Sequence, residues 1–209
     1  MTSVAMPERT LALSDMLEEL ADEVDGGLTV GEMVEHLGRR AFGALLFAFS
    51  APNWLPLPPG SSSVLGLPLV LFSPQLMIGV HTPWMPRFLA RRRIPGQALS
   101  KAFRRIIPWL EKVEHLSRPR LTFLFGPVGD RVIGLVCLLL SLVLLLPIPL
   151  GNMAPAAAIA LLGLGMVQRD GALVILGYIA AAISAGLLVI GAQAALFALR
   201  QLMDFVGLG

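Results

Sequence analysis

Apolar residues in this chain run in long unbroken tracts rather than in the alternation of a sheet. Residues 41–86, 132–168 and 171–199 contain no Asp, Glu, Lys or Arg. A mostly apolar run of about 18 residues or more can form a membrane-spanning helix. The three tracts therefore predict an all-α integral membrane protein. Polar positions gather outside them. Leu13, Leu17, Leu20 and Val24 mark the apolar side of a helix that Ser14 can cap, with acids on its other face. Thr29 and Glu32 have the spacing of a capping box for the next helix. Leu99, Phe103, Ile106, Leu110 and Val113 form a stripe opposite Lys101, Arg104, Arg105 and Lys112, the pattern of a helix lying on a membrane surface. Pro108 kinks it.

Two of the tracts are broken in the same way. Leu55-Pro56-Leu57-Pro58-Pro59-Gly60 returns 91 residues later as Leu146-Pro147-Ile148-Pro149-Leu150-Gly151. Proline has no N–H and cannot continue a helix, so each copy ends one. Aligning 38–60 with 129–151 without gaps gives eight identities in 23 positions, including Gly38/Gly129, Arg40/Arg131, Gly43/Gly134 and Ser50/Ser141. Val34-Glu35-His36-Leu37 also recurs as Val113-Glu114-His115-Leu116. This pattern predicts two duplicated helical hairpins whose tips are the proline turns, with Pro56, Pro58, Gly60, Pro147, Pro149 and Gly151 as the structural turn residues. The first arms, 41–55 and 132–146, reach only about 22 Å at ~1.5 Å per residue, short of a hydrocarbon core of ~30 Å. The first reading is therefore a re-entrant pair. The second is a pair of full spans, if the first arms begin earlier, near Glu32 or Gly129.

Five segments follow: amphipathic helices over 1–37, hairpin one over 38–86, a basic connector over 87–128, hairpin two over 129–168, and a C-terminal transmembrane helix over 169–209. Charge sets their orientation. Residues 1–38 carry nine acids and one base, whereas 87–131 carry eleven bases and three acids. Short basic loops stay in the cytoplasm. The connector and the N-terminus are therefore expected there, with both hairpins entering in parallel, unlike the inverted repeats of many transporters. Arg91, Arg92, Arg93, Arg104 and Arg105 are the expected contacts to anionic lipid. Nucleic acid is not an expected partner. Gly177, Ser184 and Gly191 recur on the last helix as a close-packing surface, within the chain or between copies, and with the small size of the chain this face favours a homodimer.

Composition agrees with the tracts. The chain has 209 residues, is 56% hydrophobic and only 14% charged, against about 25% charged in soluble domains. The N-terminus has no secretory-signal pattern. The single cysteine, Cys137, reads as a small buried hydrophobe. No HExxH, paired carboxylates or acidic metal cluster is visible in the sequence, so no catalysis, cofactor or metal is expected. Asp130 and Asp170 are expected to pair with their neighbours Arg131 and Arg169, and His81 to sit at an interface. The polar groups that remain near the breaks are Asn53, Trp54, Ser61, Ser62 and Asn152. Together with Arg40 and Arg131 at the cytoplasmic mouth they form the candidate substrate or ion site. Ser61 and Asn152 also suit helix N-caps, and a capped N-terminus can hold an anion.

The segments Leu146-Pro-Ile-Pro-Leu-Gly-Asn152, Arg169-Asp170-Gly171, Pro56-Leu-Pro-Pro-Gly60 and Pro83-Trp84 with its arginine cluster resemble the ExoD family of bacterial membrane proteins. The resemblance covers about 14–199. It implies an inner-membrane location and a link to exopolysaccharide synthesis, and it brings no catalytic residue pattern. Two functions follow. One is a small transporter or flippase with its site at the paired proline turns. The other is a non-catalytic scaffold or assembly factor that binds polysaccharide-synthesis proteins.

Overall fold

The computed structural model describes residues 28–54, 61–94, 124–146 and 151–206. Proline turns 55–60 and 147–150, the expected N-terminal helix and the interfacial stripe with Arg104 and Arg105 lie outside the described residues. The regular structure among the described residues is helical apart from one two-residue antiparallel pairing, β1 (Leu28–Thr29) with β2 (Arg93–Ile94). The helices are α1 (Val30–Leu37), α2 (Arg40–Ser50), α3 (Ser61–Met77), α4 (Arg87–Ala90), α5 (Pro127–Leu144), α6 (Met153–Gln168) and α7 (Gly171–Val206). A 3-10 turn, Ala51–Trp54, follows α2.

The expected capping box is present. The Thr29 hydroxyl accepts from the Glu32 N–H at 3.2 Å, and the Glu32 carboxylate accepts from the Thr29 N–H at 2.8 Å. Gly38, with φ of +53°, ends α1 two residues before α2 begins. That break leaves α2 at eleven residues, whereas α5 starts at Pro127 and runs for eighteen. At ~1.5 Å per residue the two arms span about 16 and 27 Å.

Four helices form the core. α2 packs along α6 and α3 packs along α5, so each helix of one pair lies against the opposite helix of the other pair. Close approach explains the partnership. A Cβ at Gly43 would lie 2.6 Å from the Gly163 carbonyl oxygen on α6. A Cβ at Gly134, 91 residues on, would lie 2.4 Å from the Met77 nitrogen at the end of α3. The helix backbones touch at both glycines, as small residues allow. Ser50 and Ser141 are likewise 91 apart, and both are fully buried. Each returns its hydroxyl to the carbonyl three residues back, Phe47 and Leu138 respectively. Phe42, Leu46, Leu69, Phe72, Ile133 and Ile159 fill the space between the pairs.

α7 is one continuous helix of 36 residues packed along α6. Gly177 meets Leu162 of α6, so this glycine serves packing within the chain, one of the two uses its spacing allows. Gly191 has nothing near it, and Ser184 is buried. α5 and the Gly171–Ala194 part of α7 are long and apolar enough to cross a membrane. Only 17% of that α7 stretch is buried. The core helix of a soluble protein of this length would be mostly covered. Here Leu176, Ile183, Leu187 and Ile190 stand exposed.

Candidate functional site

The four-helix core has two polar ends. α2 and α5 begin at one and finish at the other, while α3 and α6 run the opposite way.

At the end beside the proline turns, Asn53 and Asn152 are both buried. Asn53 Nδ2 donates to the Phe49 carbonyl at 3.0 Å. Asn152 Nδ2 donates to the carbonyls of Leu146 at 3.0 Å and Leu144 at 3.4 Å. Among the described residues neither side-chain carbonyl oxygen has a partner. Leaving such an atom bare costs about 1–3 kcal/mol, so both oxygens are available to a water, a cation or a donor group of a ligand. Ser63 Oγ donates to the Leu145 carbonyl at 2.9 Å and ties α3 to the end of α5. Asn152 occupies the N-cap position of α6 but makes no side-chain cap bond. The reason is local: the last carbonyls of α5 are unsatisfied in their own helix, and the Asn152 amide turns back to them. Ser61 falls inside the first turn of α3 rather than before it. Ser62 is half-buried in the same turn, and Trp54 closes the 3-10 turn. Gly151 stands in the turn before α6.

At the opposite end four chemistry-bearing side chains meet. Arg39 Nη1 lies 2.5 Å from Asp130 Oδ2. Arg39 Nη2 lies 3.2 Å from His81 Nε2. Guanidinium only donates, so this contact requires His81 Nε2 as the acceptor. Asp130 is 7% exposed. Arg131 is exposed and its guanidinium lies over Gly79, where a Cβ would come within 3.4 Å of Nε. Gly79 has φ of +86°, a conformation that suits glycine. Arg39, Gly79, Val80, His81, Asp130 and Arg131 line a cleft of about 210 Å³.

This pairing replaces the expected one. Adjacent residues on a helix point about 100° apart and do not face each other, so Asp130 cannot turn to Arg131 and takes Arg39 instead. Asp170 likewise leaves Arg169, which adopts the left-handed conformation at the end of α6. Its Oδ1 accepts from the Ala172 N–H at 2.9 Å and caps α7. Arg40 is half-buried beside Arg39, and Arg91, Arg92 and Arg93 are exposed around β2. Arg39 escaped the sequence reading of the site, although a signal existed. It stands 91 residues before Asp130, the same interval that separates the two proline cores.

The comparisons agree with the resemblance in the sequence. The family described as "Exopolysaccharide synthesis, ExoD" matches residues 13–190. The chain is 33% identical over 173 residues to "Protein ExoD" of Rhizobium meliloti (strain 1021), covering 80% of this chain and 72% of that protein. It is 28% identical over 163 residues to an uncharacterised protein of Synechocystis sp., covering 76% and 77%. No solved structure matches it.

Proposed function

The chain belongs to the ExoD family, linked to exopolysaccharide synthesis, and from that premise we propose that it is a multi-pass inner-membrane protein that moves an anionic or lipid-linked precursor through a site at its hairpin tips. Membrane insertion is supported by the apolar exposure of α7, which water would penalise at about 25 cal/mol per Å². The basic end, with Arg39, Arg40 and Arg131, faces the cytoplasm on this reading, as does the connector. The matched environments of Gly43 and Gly134, and of Ser50 and Ser141, support the view that the two hairpins are copies.

The observation that carries the transport reading is the pair of buried asparagines with unpartnered oxygens. Polar atoms bare at membrane depth are costly, and in membrane proteins they mark substrate or ion paths. The test is polysaccharide output from cells carrying Asn53→Ala or Asn152→Ala, with the amount of folded protein in the membrane measured alongside. Loss of output at normal membrane levels is expected. Full output from both variants would remove the site.

A scaffold is the second reading, and the exposure of Arg91, Arg92 and Arg93 favours it. It is distinguished by charge reversal at those three arginines, which would abolish output while the asparagine variants stay active.

A further inference from the structure

The cleft at the basic end has a composition that interfacial anchoring does not require. Two guanidinium groups, an imidazole and one carboxylate border about 210 Å³. Arg39 is engaged by Asp130 on one nitrogen and by His81 on another. Among the described residues none accepts a hydrogen bond from Arg131, although its guanidinium is held over Gly79 by contact. With a neutral imidazole the cluster carries one uncompensated positive charge. α5 also begins at the cleft and turns the positive end of its dipole toward it.

We propose that this cleft binds a phosphoryl group, with Arg131 and Arg39 as its two anchors and Asp130 as the resident anion that it displaces. Guanidinium forks match phosphate oxygens two at a time. The ligand must carry more than one negative charge, because it has to replace the Asp130 carboxylate on Arg39 and also satisfy Arg131. A simple carboxylate would only repeat what Asp130 already does. A phosphate monoester or diphosphate meets that demand. The volume lies below the ~300–1,000 Å³ of clefts that enclose a whole drug-sized ligand, so the cleft admits the phosphoryl head and leaves the remainder outside. The site is at the far end of the core from the asparagines and stands whether or not the tips transport.

The test is equilibrium binding to the full-length protein in neutral detergent, with inorganic pyrophosphate in one arm and short-chain phosphatidic acid in the other. Binding of pyrophosphate assigns a soluble phosphate; binding of phosphatidic acid alone assigns a lipid head group. In either case R131Q should weaken binding about tenfold or more, the scale of one lost charge-assisted contact. D130N should tighten it, because the competing carboxylate is gone. That gain separates a ligand site from a structural ion pair, whose loss could not improve binding. No binding in either arm, equal affinity for R131Q, or weaker binding by D130N would overturn the proposal. Arg131 is exposed and makes no hydrogen bond to a described residue, so R131Q keeps the test readable if D130N fails to fold.

Discussion

Replacing Gly134 with alanine should lower the melting temperature of the purified protein, and the structure sets the size of the effect. The new Cβ would sit 2.4 Å from the Met77 nitrogen and 2.9 Å from the Leu76 carbonyl carbon. Both are backbone atoms, so no flexible side chain can step aside. Restoring ordinary contact moves α5 away from α3 by about 1 Å and loosens the packing of Ile133 and Cys137, both fully buried. Overpacking of this kind costs roughly 1–3 kcal/mol, and alanine recovers up to about 1 kcal/mol of helix propensity over glycine. A clash with backbone belongs at the upper end, for a net loss of about 2 kcal/mol. In a chain of this length that is a fall of about 4–8 °C. Gly186 is the control. It lies on α7 with nothing within 4 Å of its Cβ position, so Gly186→Ala has only the propensity gain. It should raise the melting temperature by about 2–4 °C. Thermal denaturation of both variants in one detergent decides the matter. A Gly134→Ala protein as stable as Gly186→Ala would refute the α3–α5 contact.

Three further outcomes are expected. Ser63→Ala deletes the hydroxyl bond to the Leu145 carbonyl and should cost about 1 kcal/mol, or 2–4 °C in the same assay. The Thr29 N–H, and then its hydroxyl, hold the Glu32 carboxyl below its ordinary value. The capping box therefore supports α1 at neutral pH and loses that support as pH falls through the folded-state value. The protection factors of the Val30–Leu37 amides, corrected for the intrinsic exchange rate at each pH, should fall in acid, and Thr29→Ala should lower them already at neutral pH. Cys137 is fully buried, so a maleimide should label it slowly in the folded protein and completely after denaturation. Rapid labelling without unfolding would contradict its place in the core.

What could be read from the sequence depended on how far each cause acts. The helix breaks were visible because proline acts on its immediate neighbours. α2 ends at Ser50 and α5 at Leu144, and the second arms resume at Ser61 and Met153. The capping box was visible for the same reason. The partners of Asp130 and Asn152 were not. Asp130 reaches a residue 91 positions away, and Asn152 turns back to α5 instead of capping its own helix. Both choices are set by which helices lie side by side, and the side-by-side order depends on two glycine contacts that no local pattern announces.

The 91-residue interval between Arg39 and Asp130 has a further consequence. On the view that the hairpins are copies, these two residues are the same position in each copy, and they touch. Only residues on an axis of symmetry meet their own counterparts. Two identical hairpins assembled as separate chains would set arginine against arginine there, or aspartate against aspartate. An attractive pair at that point therefore requires the two hairpins to differ there, as they do in this chain. Exchanging the two charges should preserve the pair, whereas making the position alike in both halves should set like charges against each other there and lower the melting temperature.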